Sequence, residues 1–155
     1  MTSGSGAFLV DTNVLVYPYD PADPFKRNRA ISVLDRLADT GTGVLTAQVL
    51  GEFFVTVTRK IKPPMAVAEA ERSVANYARS WRVLALTADR AVEATRGVRR
   101  HGLSYWDSLI WATAKHHGIP HVLSEDFSDG ARIEGVRFHN PFASAFDMAM
   151  LGGQP

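Results

Sequence analysis

Short apolar segments alternate with segments of helical pattern along most of the chain, and this alternation is the strongest constraint on its fold. Between the turn-rich stretch 18–24 and Gly41, apolar residues recur at helical spacing, at positions 30, 33, 34 and 37. The apolar segments, predicted as strands, are 7–11, 43–46, 82–86, 121–124 and 136–138. The helices predicted after the first are 47–61, 65–80, 87–101 and 104–117. This order predicts an α/β fold, a three-layer α/β/α sandwich with a mainly parallel central sheet.

Local signals mark several of these boundaries. Thr46 and Ser104 precede predicted helices, at positions where a side-chain oxygen accepts a backbone N–H from the first turn. Gly41 follows the last residue of the first helix, where glycine is favoured. The two prolines at 63–64 end the next helix, because proline lacks the N–H that a helix needs.

Chain length and composition predict one folded domain. The 155 residues are enough to bury a core, and 46% hydrophobic with 21% charged residues is ordinary for a globular protein. We expect a single domain over 1–155, with its core at about 7–142 and a C-terminal tail at 143–155 whose end is frayed. The net charge is +1, so any binding of nucleic acid must come from a local distribution of charge.

The absence of cysteine removes disulfides, thiolate zinc sites and cysteine nucleophiles from consideration. No apolar run approaches the roughly 20 residues of a membrane span. The first residues lack the basic and apolar regions of a signal peptide. We therefore expect a soluble protein of the cytoplasm.

Four carboxylates stand in apolar surroundings. Asp11 and Asp126 come at or just past the ends of two predicted strands, where parallel sheets bind ligands. Glu52 borders the apolar face of its helix, and Asp107 has hydrophobic neighbours at helical spacing. Any one of them is better explained as a cap, a turn or a salt bridge, but four in one such fold point to a site.

Several acids in one place require a counter-charge. Two anions about 4 Å apart repel by roughly 4 kcal/mol at an effective dielectric constant near 20. A hard divalent cation with oxygen ligands relieves that repulsion, and Mg²⁺ or Mn²⁺ suits carboxylates and water. The sequence therefore predicts a Mg²⁺ or Mn²⁺ site at one edge of the sheet.

The segments around these acids resemble the four acidic motifs of PIN-domain nucleases, and most of all those of VapC toxins from bacterial toxin–antitoxin pairs. The segments are LVDTN at 9–13, GEF at 51–53, SYWDSLI at 104–110 and VLSEDF at 122–127. Their order, spacing and strand or helix context all agree, and the resemblance covers residues 7–142.

The resemblance implies one PIN domain that cuts single-stranded or looped RNA with Mg²⁺ or Mn²⁺ and a metal-activated water. It also implies inhibition by a small VapB-like antitoxin and assembly as a homodimer. Carried over by position, Asp11, Glu52 and Asp107 would be the core metal ligands and Asp126 the fourth acid. All four would be catalytic.

The same resemblance implies supporting roles for polar residues next to the four acids. Thr12 and Asn13 would orient Asp11 or a water on the metal. Asp129 would contribute through a water, or else form a turn before Gly130. Glu125 stands where the family commonly has Asn, and it is a competing candidate ligand.

Basic residues form three clusters, at 26–29, 59–62 and 96–100. They either contact RNA phosphates or are simply the solvent-exposed faces and ends of helices. Arg99 and Arg100 are the weak candidates for RNA binding, because they come shortly before the Asp107 helix. We interpret Trp106 as part of a core stripe on that helix, and His121 as structural.

Three other functions compete with a toxin. A PIN nuclease for RNA maturation without an antitoxin would use the same acids, and gene neighbourhood would distinguish it. A non-catalytic PIN-like binding module is disfavoured because all four acids are present. An aspartyl-phosphate phosphohydrolase ranks last, because it normally has a second Asp where this chain has Asn13.

Overall fold

A six-stranded sheet forms the centre of the computed structural model, which describes residues 6–153. Its strand order is β3-β2-β1-β4-β6-β5. The first five strands in that order run parallel, and β5 pairs antiparallel with β6. The strands are β1 Phe8–Val10, β2 Gly43–Thr46, β3 Arg82–Leu84, β4 His121–Leu123, β5 Arg132–Ile133 and β6 Val136–His139.

Six α-helices flank the sheet, which confirms the predicted three-layer α/β/α sandwich. They are α1 Thr12–Val16, α2 Pro24–Thr40, α3 Ala47–Arg59, α4 Val67–Ser80, α5 Ala88–His101 and α6 Tyr105–His116. Two short 3₁₀ helices, Tyr17–Tyr19 and Met148–Leu151, complete the described elements. Within residues 6–153, no helix is long and apolar enough to cross a membrane.

Strand β1 lies at the centre of the core. All three of its residues are fully buried, because helices cover both faces of a parallel sheet and leave no solvated side to the strand. Phe8 is paired with Gly43 on one neighbouring strand and with His121 on the other. This register places the carboxyl ends of β1 and β4 at the same edge of the sheet.

Side-chain caps confirm two predicted helix starts. Thr46 accepts a hydrogen bond from Val49 N, and Ser104 accepts one from Asp107 N. Gly41 ends α2 in the left-handed conformation, with φ 69°.

Some boundaries differ from the prediction. Helix α1 was not predicted, because five residues are too few to show a helical period. Strand β3 ends at Leu84 instead of 86, and residues 85 and 86 are exposed. The two-residue strand β5 was also missed; it meets β6 through a tight turn at Glu134 and Gly135, both at positive φ.

The C-terminal tail packs on α2 as far as the structure describes it. Leu151 is fully buried, and Arg36 Nη1 donates a hydrogen bond to Gly152 O at 2.9 Å. The frayed end predicted from the sequence falls on residues 154–155, which lie outside the described residues.

Gly97 allows α5 and α6 to pack closely. A Cβ at this position would collide with the Ser108 hydroxyl oxygen and would lie 2.7 Å from Trp111 Cζ3. The Ser108 hydroxyl also donates a hydrogen bond to Ala94 O at 2.6 Å, so it cannot move away freely. Helix α6, which carries Asp107, is therefore held at a fixed distance from α5.

We expect Gly97→Ala to lower the free energy of unfolding by about 1 to 2 kcal/mol, measured by urea denaturation. Overpacking costs about 1–3 kcal/mol, which outweighs the gain of up to about 1 kcal/mol that alanine has over glycine in a helix. Gly51→Ala in α3 is the matched control, because a Cβ there meets nothing within 4 Å and should stabilise the protein. Equal stabilisation by both substitutions would contradict the close approach of α5 and α6.

Candidate metal centre

Three acidic side chains converge at the carboxyl edge of the sheet. One carboxylate oxygen each from Asp11, Asp107 and Asp126 lies within 4.8 Å of the other two. Asp11 follows β1 directly, Asp107 lies in the first turn of α6, and Asp126 follows β4. Asp11 and Asp126 are 115 residues apart in the sequence, and the parallel register of β1 with β4 brings them together, as the bond from Asp11 N to Leu123 O at 3.0 Å also shows. Helix α6 adds Asp107.

The buried carboxylate of Asp11 is fixed by three donors. It is only 5% exposed. Its Oδ1 accepts Thr12 N at 2.7 Å, and its Oδ2 accepts Ser124 Oγ at 2.6 Å and Asn13 Nδ2 at 3.5 Å. The carboxylate therefore has one orientation before any cation binds.

Ser124 is a site residue that the sequence analysis did not single out. It is fully buried, and its hydroxyl oxygen also accepts Asp126 N at 3.0 Å. One side chain thus holds Asp11 and the start of the loop that carries Asp126. A polar residue at the end of a buried apolar strand was the available signal.

The predicted supporting residues Thr12 and Asn13 contact more than Asp11. Asn13 Nδ2 lies 3.2 Å from Asp126 Oδ2, so this amide spans two of the acids. Thr12 Oγ1 donates to Glu52 Oε2 at 3.4 Å.

Glu52 lies beside the three converging carboxylates but is not one of them. Gln48 Nε2, one helical turn earlier on α3, donates to its Oε1 at 2.6 Å. Its charge is nevertheless close enough to raise the pKa of Asp107. The structure thus gathers all four predicted acids at one edge, three of them within reach of a common cation.

Burial and mutual repulsion disfavour the ionised forms of two of these acids, and both pKa values are raised. Burial raises the pKa of Asp11 from 3.8 to about 7, against the hydrogen bonds from Ser124 and Thr12, and the nearby charges of Asp126 and Asp107 raise it further. Burial also raises the pKa of Asp107, opposed by Ser104, and the charges of Asp126 and Glu52 add to the rise. Crowded, desolvated oxygen donors of this kind fit a hard divalent cation, which would favour their ionised forms.

Two other acids of the last motif face different partners. Glu125 accepts the Tyr17 hydroxyl at 2.5 Å and pairs with Lys26 Nζ at 2.8 Å, so its charge is already balanced. Asp129 is exposed and accepts Asn140 N at 2.9 Å, outside the group of three. A contribution of Asp129 through water stays a prediction.

The basic clusters divide into paired and unpaired residues. Arg96 is bound to Glu93 and Glu134, so it is not available to RNA. Arg99 and Arg100, at the exposed end of α5, make no ion pair within the described part of the chain, and their role in RNA binding stays a prediction.

The interpretation of Trp106 as a core residue was wrong. Leu109 and Ile110 on the same helix are buried, but the Trp106 side chain is 59% exposed. The first turn of α6 stands at the acidic edge, where no layer covers it.

His121 is packed within the fold. Its ring stacks on Phe8 at 4.8 Å and its Nδ1 lies 3.0 Å from His139 Nε2. These contacts explain His121 without a metal.

The fold has close parallels among solved structures of bacterial toxins. A toxin–antitoxin complex from Klebsiella pneumoniae matches with a TM-score of 0.64 and 19% identity, covering 87% of this chain and 98% of that one. The DNA-bound VapBC from Salmonella typhimurium matches with a TM-score of 0.61 and 17% identity, over 88% and 98% of the two chains. VapC20 from Mycobacterium tuberculosis, a sarcin–ricin loop cleaving toxin, matches with a TM-score of 0.58 and 22% identity, over 75% and 87%.

These structures show that the fold of this chain is similar to that of VapC-type toxins. Comparison with curated protein sequences gives no match. The PIN domain family model matches residues 8–129, and the chain therefore belongs to the PIN domain family.

The raised pKa of Asp11 predicts a pH dependence of stability. Without a divalent cation, the folded protein keeps a proton on Asp11 that the unfolded chain loses, so stability falls as the pH rises from about 4 to about 7 and stays lower above. Because Mg²⁺ binds the ionised carboxylates, it should raise Tm more at about pH 8 than at about pH 5.5. Thermal unfolding with MgCl₂ or EDTA measures both effects.

Asp11→Asn should reduce the pH dependence and the Mg²⁺ effect together, since the amide neither titrates nor balances a cation. Asp39→Asn, on the exposed surface of α2, is the matched control and should behave as wild type. The same Mg²⁺ shift in Asp11→Asn as in wild type would rule out this site.

Proposed function

We propose that this protein is a Mg²⁺- or Mn²⁺-dependent endoribonuclease and the toxin of a VapBC-type toxin–antitoxin pair. The observation that carries the proposal is the convergence of the Asp11, Asp107 and Asp126 carboxylates within 4.8 Å on a PIN fold. Three carboxylates this close repel one another, and a divalent cation that relieves the repulsion can also bind a phosphate.

The structural relatives support the kind of substrate and partner. VapC20 is a sarcin–ricin loop cleaving toxin, and the Klebsiella and Salmonella structures are a toxin–antitoxin complex and a VapBC complex. By analogy, we propose RNA as the substrate and a small VapB-like antitoxin as the inhibitor. A homodimer, a single domain over 1–155 and a cytoplasmic location belong to the same proposal and rest on the sequence.

In this mechanism Asp11, Asp107 and Asp126 would hold the cation, and neighbouring side chains fix the positions of these acids. Ser124 and Asn13 each contact both Asp11 and the Asp126 segment, so the two acids keep their spacing during the reaction. When bound, Mg²⁺ or Mn²⁺ neutralises charge on the phosphate and makes water a better nucleophile at neutral pH.

Glu52 is the acid best placed to manage the attacking water. Its carboxylate is outside the group of three that lie within 4.8 Å of one another, and Gln48 and Thr12 fix it from two sides. We propose that Glu52 orients the attacking water and accepts its proton, because proton transfer of this kind needs a base in a fixed position. Asp126, the other acid that the sequence offers for this role, would be a ligand of the cation.

Asp11→Asn and Asp107→Asn should each lower Mg²⁺-dependent RNA cleavage by more than about 100-fold, because loss of even an outer-shell partner of a metal ligand costs up to about that much. The substrate is found by sequencing the ends of RNAs cut after induced expression, and a synthetic RNA spanning the cut is then used with purified protein. The circular dichroism spectrum should stay that of wild type.

Asp39→Asn serves again as the control, since it also removes one carboxylate from the surface. Undiminished cleavage by either Asp11→Asn or Asp107→Asn would refute the site. Absence of any Mg²⁺- or Mn²⁺-dependent cleavage by the wild type would refute the nuclease itself.

A further inference from the structure

A polar stripe follows one face of α3 past the acids. It consists of Gln48, Glu52 and Thr56 in α3 and Lys60 directly after it, which are four residues apart, so that each is a neighbour of the next and the stripe winds partly around the helix. From Gln48 to Lys60 the stripe is about 18 Å long, at 1.5 Å per residue. Only Glu52 of these four has a role in the proposed reaction.

The Lys60 end of the stripe opens into a groove of about 360 Å³. Thr56 and Lys60 line it from α3, and Thr12, Asn13 and Tyr17 line it from the segment after β1. Thr56 and Lys60 also line a neighbouring hollow of about 240 Å³ together with Glu52. The groove and the hollow therefore share Thr56 and Lys60, and the hollow extends to Glu52 beside the acidic centre.

Lys60 supplies a positive charge to this groove. Its side chain is exposed and, in the region 6–153, forms no ion pair, whereas Lys26 and Lys115 are both paired with glutamates. The groove also contains Asp20, whose Oδ1 accepts Ala22 N at 3.0 Å. The Lys60 ammonium and the Thr56 hydroxyl are the donors that this groove offers to a phosphate, since the Tyr17 and Thr12 hydroxyls donate to Glu125 and Glu52.

The opposite end of the stripe carries the exposed indole of Trp106. Gln48 Nε2 donates to Trp106 O at 3.2 Å as well as to Glu52, so one amide connects the tryptophan with the catalytic acid. Tyr105 packs edge-on against the indole with ring centroids 5.0 Å apart. An exposed aromatic ring supported in this way offers a stacking surface for a base.

We propose that a single RNA strand runs along this stripe, with a phosphate at Lys60 in the groove and a base stacked on Trp106 at the other end. The scissile phosphate then lies between these two contacts, over Glu52 and the three carboxylates. The inference rests on the proposed nuclease function and adds to it the path of the substrate. It also gives the near-neutral chain a local cation where RNA would need one.

Lys60→Gln tests the phosphate contact. The probe is a fluorescein-labelled single-stranded RNA of mixed sequence, about 12 nucleotides long, within the usual range of site sizes. Anisotropy is measured in an Asp107→Asn background, so that the RNA is not cut. Lys60→Gln should weaken binding about fivefold and reduce the slope of log affinity against log salt by about 0.7, the share of one phosphate on a single strand.

Lys62→Gln is the matched control, because it removes the same charge from an exposed position that lines neither the groove nor the hollow. An equal loss in both variants would mean that only net charge matters and would overturn the phosphate site. So would unchanged RNA binding in Lys60→Gln with weakened binding of a purified antitoxin, since that result would make the groove a protein interface. Either result leaves the nuclease proposal intact if wild-type protein still cleaves.

Trp106→Ala tests the other end and should weaken binding of the same probe about tenfold, the typical worth of one stacked base. Trp106→Phe should retain most of the affinity, because a phenyl face also stacks. Phe25→Ala removes another exposed aromatic ring, at 54% against 59% exposure, and should change little. Equal affinity of Trp106→Ala and wild type would overturn the stacking contact.

Discussion

The contact between the buried Asp11 carboxylate and Ser124 is the interaction on which the rest of the site depends. Burying a carboxylate without partners is too costly for a stable protein, so its hydrogen bonds must form with the fold. Val10 and Leu123 are partners in the parallel register of β1 and β4, which places Asp11 and Ser124 side by side one residue later. The same register that builds the core therefore builds the first half of the metal centre.

The second half of the centre depends on contacts from outside the sheet. Asp126 is exposed and has little packing of its own, but Asn13 reaches it from α1. Its neighbour Glu125 is held by Lys26 from α2 and by Tyr17. The loop after β4 is therefore attached at Glu125 and at Asp126 itself, which explains how an exposed acid can keep a defined position.

The helices and strands with a clear hydrophobic period could be predicted from the sequence, and so could the acids that interrupt apolar segments. Asp11 and Asp107 were detectable because carboxylates are costly in apolar segments, and the strand–helix order predicted that their ends would meet. Helix α1 and strand β5 were missed because two to five residues show no period.

The role of Ser124 was hidden for a different reason. It depends on which residue of β1 lies beside it, and that is a matter of register, not of local pattern. Trp106 was misplaced because helical spacing predicts a shared face of α6 but not where the covering layer stops. Both cases needed the position of a neighbouring element, which no single segment of sequence contains.

The distribution of charge explains how a chain with a net charge of +1 can serve a polyanion. Several bases balance acids within the fold: Lys26 binds Glu125, and Lys115 and Arg96 share Glu93 and Glu134. These pairs cancel in the total, so any charge that acts at a distance must come from bases outside them. The carboxylates of the centre repel phosphate until a cation is bound, so an unpaired base such as Lys60 next to the centre has an effect that the net charge does not reveal. In the proposed reaction, binding of RNA and binding of the cation would be coupled, because the anionic phosphate and the divalent cation balance each other's charge.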